Sequence, residues 1–335
     1  MCHAQRAAGH DPSVYAITSL GPLGEQLICE GYAVCSMAPR HLPGGLNAFY
    51  RAFRECRPDV VHLHNPTPTV YAAFPARAAG VRSIVSTRHG LVGAPLRRSV
   101  ELRYAVAARF CNCIVGVCDA TVDNLNRLHT IPKHKLLRIY NGTLPIERIP
   151  LPKCPPKSGF TLLFVGRLAP VKNLQLLLNA FQTASAVRPE LRLWIVGDGS
   201  ERRALESLAT DLRISNAVTF WGEQLDPAQF YSAADLFTMS STSEGLPVSL
   251  IQGFSLGVPA VVTDVGGMAE AVKMGNAGIV VPAGQPRQMA EAILRLIEDR
   301  DLLGRFSQAA SELFASRFTL APMVSAYHQL YSAAL

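Results

Sequence analysis

One acidic side chain, Glu244, stands at the tip of a loop whose surroundings favour binding of an anion. The loop lies within Tyr231–Val272, a segment with the pattern strand, loop, helix, strand, Gly-Gly loop and helix. Pro247 suits the first position of the helix, and Gly257 ends it. A helix that begins at the carboxyl edge of a parallel strand presents free N–H groups, which suit a phosphate. Alone, this segment is better explained as an ordinary βαβ unit in which Glu244 is a solvated loop acid.

Two cations follow an earlier predicted strand. Thr161–Val165 is an apolar run that ends in Gly166 and Arg167, and Lys172 comes five residues after the arginine. A guanidinium group and an ammonium group on one loop could bind a diphosphate, and a glycine beside them permits close approach of the backbone. The alternative is that both cations are solvated turn residues.

Glycines with polar or charged neighbours end four predicted strands of the second half, where open α/β sheets bind ligands. The motifs, in chain order, are GRLAPVK, VGDGSE, VTFWG, SEGLPVSLIQ and DVGG. Together they resemble the nucleotide-sugar-binding half of glycosyltransferase family 4, which contains retaining glycosyltransferases of the GT-B fold. Five linked motifs carry the resemblance, and each of them alone would be weak.

The resemblance implies a role for each residue of the second half. Arg167 and Lys172 would contact the donor diphosphate, and Glu244 would hold hydroxyls of the transferred sugar or lie under its developing positive charge. The family's second acid, which binds the ribose hydroxyls, falls on Gln252. An amide still forms hydrogen bonds but loses the charge-assisted part, about 1 kcal/mol per bond. The alternative for Gln252 is a helix residue of no special role. The expected donor-binding residues are Gly166, Gly197, Gly222, Gly245, Leu246, Pro247 and Gln252.

Histidines are the candidates in the first half. His89 follows the predicted strand Ser83–Thr87, and the resemblance implies that it contacts the donor sugar near the reacting carbon; the alternative is a loop histidine. His62 and His64 alternate and therefore share one face of a strand, where either could be a satisfied core histidine. His64 and Asn65 are weaker candidates for the acceptor side. No third ligand suggests a metal, so we expect neither a metal nor a cofactor.

The expected reaction breaks the bond between the anomeric carbon and a diphosphate that gains negative charge. In the family it retains the anomeric configuration, by front-face attack in which the leaving phosphate takes the acceptor's proton. A hydrolase would need two acids flanking the bond, and only Glu244 is placed for that. A nicotinamide enzyme is also disfavoured, because Arg202 stands where the dinucleotide fingerprint has its third glycine.

Length and pattern predict two domains. The 335 residues are 49% hydrophobic and only 17% charged, and strands alternate with helices throughout, as in doubly wound parallel sheets. The resemblance implies the α/β GT-B architecture, two Rossmann-like domains facing a cleft. We expect an acceptor-side domain over 1–145, a proline-rich linker over 146–157 and a nucleotide-sugar-binding domain over 158–314. A terminal helix over 320–335 would return to the first domain.

The net charge and the cysteines limit which partners and which cellular compartment are expected. The net charge is +7 and the pI is about 9.1, which suits phosphorylated substrates or an anionic membrane surface. No nucleic-acid motif is present. The expected partners are therefore a nucleoside diphosphate sugar and a glycan or lipid-linked acceptor, with an anionic membrane surface as a further candidate. The eight cysteines lack zinc-site spacing, and those of the densest group, Cys111, Cys113 and Cys118, are expected to be buried, reduced thiols, with Cys111 and Cys113 on one face of a strand. This indicates a cytoplasmic protein, with peripheral attachment to the membrane's inner face as a further expectation.

The resemblance departs from the family at the start of the chain. Family members open with a strand, a Gly-rich loop and a helix. In this chain only the end of that helix is matched, by Cys2–Ala8. About 25–30 residues are absent by this comparison, and their absence predicts a gap at the centre of the first sheet. A truncated or inactive relative that binds a nucleotide sugar without turnover is therefore the alternative function.

Overall fold

The structure is a computed structural model that describes residues 1–38, 41–91, 98–129, 131–148 and 159–333. The chain forms two compact units. Unit 1 contains Met1–Val117, Thr121–Ile139 and Ala321–Leu335, and unit 2 contains Cys118–Ala120 and Tyr140–Leu320. Of the expected linker, residues 149–157 lie outside the described residues.

Within each unit the helices and strands alternate up to residue 281, after which three helices follow one another. Up to residue 139 they are α1 (Cys2–Ala7), β1 (Ser13–Ala16), α2 (Pro22–Cys29), β2 (Ala33–Ser36), α3 (Leu42–Cys56), β3 (Val60–His64), α4 (Pro66–Ala78), β4 (Ser83–Arg88), α5 (Arg98–Ala108), β5 (Cys113–Gly116), α6 (Asp119–Arg127) and β6 (Leu136–Arg138). After residue 158 they are β7 (Thr161–Val165), α7 (Leu174–Val187), β8 (Arg192–Val196), α8 (Arg202–Asp211), β9 (Val218–Gly222), α9 (Ala228–Ala233), β10 (Leu236–Met239), α10 (Val248–Ser255), β11 (Ala260–Thr263), α11 (Gly266–Gly275), β12 (Gly278–Val281), α12 (Pro286–Glu298), α13 (Arg300–Leu313) and α14 (Leu320–Ser332).

Unit 2 contains a six-stranded parallel sheet with the order β9-β8-β7-β10-β11-β12. The chain enters at β7 in the middle, moves outward to β9, and returns to β10 on the other side of β7. The carboxyl ends of β7 and β10 therefore flank the point at which the strand order reverses. Open α/β sheets bind their ligands in the crevice at this point.

The apolar pattern accounts for the core of unit 2. Strand β7 is buried over Thr161–Phe164, as a strand covered on both faces must be. Helix α7 buries Leu174, Leu177, Leu178 and Phe181, which recur at helical spacing on one face. Among the described residues of the whole chain, no helix is long and apolar enough to span a bilayer.

The strands of unit 1 form two parallel sheets, β1-β2 and β3-β4-β5-β6. Alternate residues of the larger sheet enter different clusters, since successive side chains of a strand point to opposite faces. Ile84 and Ile114 pack in one cluster, and Val85 and Val115 in another that includes residues of α14. Strand β2 was not predicted, because it is short and three of its four residues are exposed.

A cavity of about 170 Å³ lies between the two sheets of unit 1. Tyr15 and Ile17 line it from the side of β1, and consecutive residues of β3, Val60–His64, line it from the other side. The side chains of consecutive strand residues point to opposite faces of the sheet. A cavity that is lined by every residue of β3 therefore lies at the edge of this strand and not at one of its faces. The expected absence of a strand at this position stays a prediction.

The bounds of unit 2 differ from those expected for the second domain, because Tyr140 and the residues after it group with unit 2. The Asn141 amide donates to the Leu246 carbonyl at 2.7 Å. Arg148 donates to the carbonyls of Ser232 and Leu256 at 3.1 and 3.0 Å. These hydrogen bonds hold the start of the expected linker against unit 2.

The seven cysteines in the described residues are free thiols. Cys111, Cys113 and Cys118 are buried, as predicted, and burial raises the pKa of the Cys111 thiol to about 12. The prediction that Cys111 and Cys113 share a strand face is wrong. The strand begins only at Cys113, so Cys111 lies in the preceding turn and packs in the other core cluster of unit 1.

Candidate functional site

An ion pair joins two of the predicted site residues at the reversal point of unit 2. Lys172 ends a short 3₁₀ turn after β7, and Glu244 lies in the loop after β10. The Lys172 ammonium donates to Glu244 Oε1, and the Ser241 hydroxyl donates to the same oxygen at 3.0 Å. The side chains of Lys172 and Glu244 are 17% and 14% exposed. A cation and a carboxylate thus meet where the fold favours a ligand.

Hydrogen bonds between the two loops hold this pair in place. The Ser240 hydroxyl donates to the carbonyls of Lys172 and Asn173 at 3.1 and 2.9 Å. The Thr242 backbone N–H donates to the Val171 carbonyl at 2.9 Å. Because both loops are fixed, Lys172 and Glu244 need little reorganisation to act on a bound molecule. The serines of this loop were not among the predicted site residues, and their spacing to Glu244 was the available signal.

Arg167 lies on the same loop as Lys172, and its side chain is exposed. The backbone beside it is anchored, since the Leu168 N–H donates to the Asp198 carbonyl at 2.8 Å. The structure therefore places the Arg167 side chain in solvent at the carboxyl end of β7. Its contact with a phosphate stays a prediction.

The glycine at the end of β8 has a packing role. A Cβ atom at Gly197, whose φ is +132°, would overlap the Gly166 carbonyl oxygen. The Gly166 N–H donates to the Val196 carbonyl at 2.9 Å, and the Gly197 N–H donates to the Gly222 carbonyl at 2.7 Å. The backbone at the end of β8 thus approaches that of β7 too closely for a side chain at Gly197, whereas a Cβ atom at Gly166 or Gly222 would meet only side-chain atoms. Their expected role in donor binding stays a prediction.

Gln252 lies on α10 beside a buried tyrosine. The Tyr231 hydroxyl donates to the Ser249 carbonyl at 2.8 Å and to Gln252 Oε1 at 3.4 Å. Burial raises the pKa of Tyr231 well above its ordinary value, so the hydroxyl remains a donor at neutral pH. The hydroxyl has one proton, which it shares between these two acceptors, so Gln252 Oε1 receives the longer and weaker hydrogen bond. Before this helix, Gly245, Leu246 and Pro247 are buried, and Pro247 caps α10 instead of opening it as predicted.

The loop after β8 binds its own arginine. Arg202 donates to Asp198 and to Glu206, each at 2.9 Å. The Asp198 carboxylate also accepts the Gly199 N–H at 2.7 Å. Arg202 stands at the position where a dinucleotide fingerprint has its third glycine, and its side chain is held there by these two acids. This is further evidence against a nicotinamide enzyme.

Three histidines cluster in unit 1. His64 Nδ1 and His89 Nε2 share a hydrogen bond of 2.9 Å, and the His62 ring lies 4.1 Å from the His64 ring. His62 also bonds to the Tyr331 hydroxyl at 2.8 Å and to the Thr87 hydroxyl at 2.7 Å. His62 is therefore the satisfied core histidine, and it joins α14 to β3. Among the described residues, no group of His, Cys, Asp and Glu side chains is arranged to hold a metal ion.

The sequence-predicted candidates His64, Asn65 and His89 come together at the carboxyl ends of β3 and β4. The His89 N–H donates to the Asn65 side-chain oxygen at 3.2 Å. Asn65 has a φ of +73°, a strained value for a residue with a side chain, and its own N–H donates to the Thr87 carbonyl at 2.7 Å. Strain of this kind persists only where the surroundings impose it, and it is frequent at functional sites.

The histidine cluster predicts a pH dependence of stability. Burial, followed by the nearby His64 and His89, lowers the pKa of His62 well below its ordinary value, and desolvation lowers that of His64 to about 4. The unfolded chain thus binds protons below about pH 6.5 that the folded chain does not. The stability that these groups contribute is present above that pH and is lost as the pH falls toward their folded pKa. We expect the melting temperature of His62→Gln to fall less than that of the wild type between about pH 7 and pH 5.

His134→Gln, a substitution of an exposed histidine, is the matched control for this measurement and should follow the wild type. Equal pH dependence in His62→Gln and the wild type would contradict the assignment of a neutral His62.

Two family models match almost the whole chain. The model of glycosyltransferase family 4 matches residues 1–143, and that of glycosyl transferases group 1 matches residues 149–313. Among relatives, the lipopolysaccharide core biosynthesis glycosyltransferase LpsE of Rhizobium meliloti is 29% identical over 66% of this chain and 64% of its own length. A D-inositol 3-phosphate glycosyltransferase of Thermobispora bispora is 30% identical over 77% of this chain and 59% of its own length. The chain thus spans about three fifths of these two relatives.

Solved structures share the fold over nearly the full chain. HepE of Anabaena, solved with UDP and glucose, has a TM-score of 0.84 at 20% identity and covers 97% of this chain and 93% of its own. Another HepE structure contains UDP-glucose and has a TM-score of 0.82 at 20% identity, covering 97% of this chain and 92% of its own. Together with the family models, the parallel sheets and the two units, these matches show that the chain belongs to glycosyltransferase family 4 and has the GT-B fold.

Proposed function

We propose that the protein is a retaining glycosyltransferase that moves a sugar from a nucleoside diphosphate sugar to a glycan or lipid-linked acceptor. One observation carries this proposal most directly. Lys172 and Glu244 follow the two strands that flank the reversal point of unit 2, and they meet in an ion pair there. A diphosphate needs a cation, and the hydroxyls of a sugar need a fixed acceptor, so this pair offers one group to each part of the donor.

The leaving group explains the need for cations. As the bond from the anomeric carbon to the diphosphate breaks, negative charge grows on the phosphate oxygens. Lys172 and Arg167 would stabilise that charge. We place UDP first among the donors, because UDP and UDP-glucose are the ligands in the HepE structures. The acceptor class is supported by LpsE, whose name assigns it to lipopolysaccharide core biosynthesis.

The proposed chemistry retains the anomeric configuration. The bond between the anomeric carbon and the diphosphate oxygen breaks, the bond to the acceptor oxygen forms on the same face, and the acceptor proton passes to the leaving diphosphate. Glu244 would lie under the positive charge that develops on the sugar, and we also propose that His89 contacts the donor sugar. No side chain serves as general base in this scheme, and no metal ion takes part.

Binding and turnover can be measured separately. Calorimetry with UDP, GDP and uridine should show that UDP binds, that GDP binds less tightly, and that uridine loses most of the affinity because it lacks the phosphates. Release of UDP from UDP-sugars, with octyl glucoside as a soluble stand-in for a lipid-linked sugar, then reports transfer. Nuclear magnetic resonance of the product gives the anomeric configuration.

Each result decides between the candidates. Absence of nucleotide binding would contradict the proposal. Binding of UDP without release from any UDP-sugar would instead favour the inactive relative, for which Gln252 is the supporting feature. A product with inverted anomeric configuration would contradict only the retaining scheme and would leave the proposed transfer activity standing.

Gln252→Glu tests the ribose contact. A carboxylate at this position would accept the ribose hydroxyls with charge assistance, so UDP should bind about fivefold more tightly, which corresponds to about 1 kcal/mol. The Tyr231 hydroxyl can donate to either side chain, so the fold should be retained. Calorimetry of the variant and of Gln308→Glu, an exposed control on α13, gives the answer. If Gln252→Glu binds UDP more weakly than the wild type, Gln252 does not contact the ribose hydroxyls as proposed.

A further inference from the structure

Strand β4 of unit 1 ends in a buried arginine. Arg88 is the last residue of the strand, and its side chain is 7% exposed. Alternate residues of a strand face the same side of the sheet, so Arg88 lies on the same side as Ser86. The Ser86 hydroxyl is 3.4 Å from that of Tyr104, a residue of α5. Arg88 therefore points toward α5.

Two residues of α5 enclose the Arg88 guanidinium group. Arg88 Nη2 donates to Glu101 Oε1 at 2.9 Å, and the ring centre of Tyr104 lies 5.1 Å from the central carbon of the guanidinium group. Glu101 and Tyr104 are three residues apart and therefore lie on the same face of the helix. The Glu101 side chain is 10% exposed, so solvent does not compete for the ion pair. The guanidinium group consequently has a fixed orientation.

The same guanidinium group holds the peptide that follows His89. Arg88 Nε donates to the Gly90 carbonyl oxygen at 3.3 Å. A Cβ atom at Gly90 would meet no non-neighbouring atom of the described residues within 4 Å, so packing around this residue does not limit its backbone. Glycine itself allows a wide range of φ and ψ. The hydrogen bond from Arg88 therefore restrains a part of the chain that would otherwise be free to turn.

His89 is restrained at two further points. Its backbone N–H donates to Asn65 Oδ1 at 3.2 Å, and its Nε2 shares a hydrogen bond of 2.9 Å with His64 Nδ1. Arg88 adds the third restraint, at the next carbonyl along the chain. Together they fix both the backbone and the ring of His89 before the proposed donor binds, as a preorganised site requires.

The pair of Arg88 and Glu101 is poorly suited to a purely stabilising role. Buried ion pairs contribute little to stability, because the cost of removing two charges from water offsets their attraction. In this pair Arg88 Nη1 and Glu101 Oε2 are also buried, and neither has a hydrogen-bond partner among the described residues. Unsatisfied polar atoms of this kind lower stability further. Orientation of the guanidinium group explains the pair better.

We propose that Arg88, oriented by Glu101, is a positioning residue that fixes His89 for the transfer reaction. The proposal rests on the proposed function, in which His89 contacts the donor sugar. Arg88 acts through His89, because its own side chain is buried and bonds to Glu101 and to the Gly90 carbonyl. Without these hydrogen bonds His89 would gain freedom to move, and a misplacement of about 1 Å can slow a reaction about 100-fold.

Replacement of the whole ion pair separates positioning from stability. Arg88→Met with Glu101→Met, the paired replacement, removes both charges, and such replacements are often neutral or stabilising. Its melting temperature should therefore be at or above that of the wild type. Its UDP affinity should be unchanged, and kcat for transfer from UDP-glucose should fall about 30- to 100-fold. Arg188→Met with Glu298→Met, which removes a solvent-accessible pair of unit 2, is the matched control and should transfer like the wild type.

Glu101→Gln gives the opposite combination of effects. The amide oxygen can still accept from Arg88 Nη2, so the guanidinium group keeps its orientation, but the buried cation loses its counter-charge. This variant should have a lower melting temperature than the wild type and should transfer within about threefold of it. A purely structural pair predicts the reverse, with transfer following stability in both variants.

The loss of transfer should also depend on His89. In the His89→Ala background, the paired replacement should lower kcat by less than about a further twofold, because the residue that it positions is gone. Nuclear magnetic resonance of ¹⁵N-labelled histidine rings reports on His89 without any substrate. The signals of its ring, identified with His89→Gln, should shift or broaden in the paired replacement, whereas those of the exposed His134 should not.

Three outcomes would overturn the proposal: wild-type kcat with unshifted His89 signals in the paired replacement, an equal loss of kcat in the His89→Ala background, or a loss of transfer that follows the melting temperature in all variants. If Glu101→Gln does not fold, the paired replacement and the histidine spectra decide. If the wild type transfers no sugar, the proposed function fails, and the His89 signals alone decide whether Arg88 positions this residue.

Discussion

Glu244→Ala is expected to lower the rate of transfer by about a thousandfold, the upper range for the loss of one preorganised group that stabilises a transition state. The carboxylate is 14% exposed and is held by Lys172 and by the Ser241 hydroxyl, so its orientation is fixed before the proposed donor binds. UDP affinity should stay the same or rise, because the substitution releases the Lys172 ammonium for the diphosphate. Calorimetry and the release of UDP from UDP-glucose separate the two effects.

Glu291→Ala is the matched control for Glu244. Glu291 also pairs with a cation, Arg287, at 3.0 Å, but both side chains are exposed. Exposed pairs contribute about 0–1 kcal/mol, so this variant should transfer and bind like the wild type. Glu244→Gln keeps the shape of the side chain and should be nearly as inactive as Glu244→Ala if the charge is what matters. Full transfer activity in Glu244→Gln would disprove the electrostatic role.

Lys172→Ala is expected to weaken UDP binding by about 1.5–3 kcal/mol, or about 10- to 150-fold, the range for hydrogen bonds to charged groups. Arg167→Ala should weaken it within the same range but by less than Lys172→Ala. The structure supplies the reason for this order: removal of Lys172 also leaves the Glu244 carboxylate without its cation beside the diphosphate, whereas Arg167 is exposed. Calorimetry with UDP measures both variants, and Arg287→Ala is the control.

A double-mutant cycle tests the link between Lys172 and Glu244. If the unpaired carboxylate repels the diphosphate, Lys172→Ala should weaken UDP binding less in the Glu244→Gln background than in the wild type. Additive losses would show that the two side chains act independently in the bound state. Unchanged UDP affinity in both Lys172→Ala and Arg167→Ala would show that the loop after β7 does not bind the phosphates of UDP.

Local sequence determined the order of the elements and many of their bounds. The expected strand Thr161–Val165 agrees with β7, and the expected strand Ser83–Thr87 lies within β4. Buried parallel strands are short apolar runs between glycine, proline and polar residues, so their ends are visible in the sequence. Strand β2 was missed for the same reason, since its side chains are partly exposed and lack an apolar pattern.

The sequence also identified Lys172 and Glu244 as site residues, but from separate motifs. It could not show that they pair, because they are 72 residues apart and meet only where β7 and β10 become neighbours. It predicted that Gly197 binds the donor, which stays a prediction, and only the structure shows that the Gly166 carbonyl leaves no space for a Cβ atom there.

The histidines show the same division. Alternation along β3 was enough to place His62 and His64 on one face, because the period of a strand is a local property. Only the tertiary structure decided that His62 is satisfied by Thr87 and by Tyr331, which is 269 residues away, and that His64 bonds to His89. Local pattern thus determined which chemical groups face the carboxyl edges of the sheets. The pairing of strands and the packing of α14 determined which of those groups touch, because these contacts join residues that no sequence period relates.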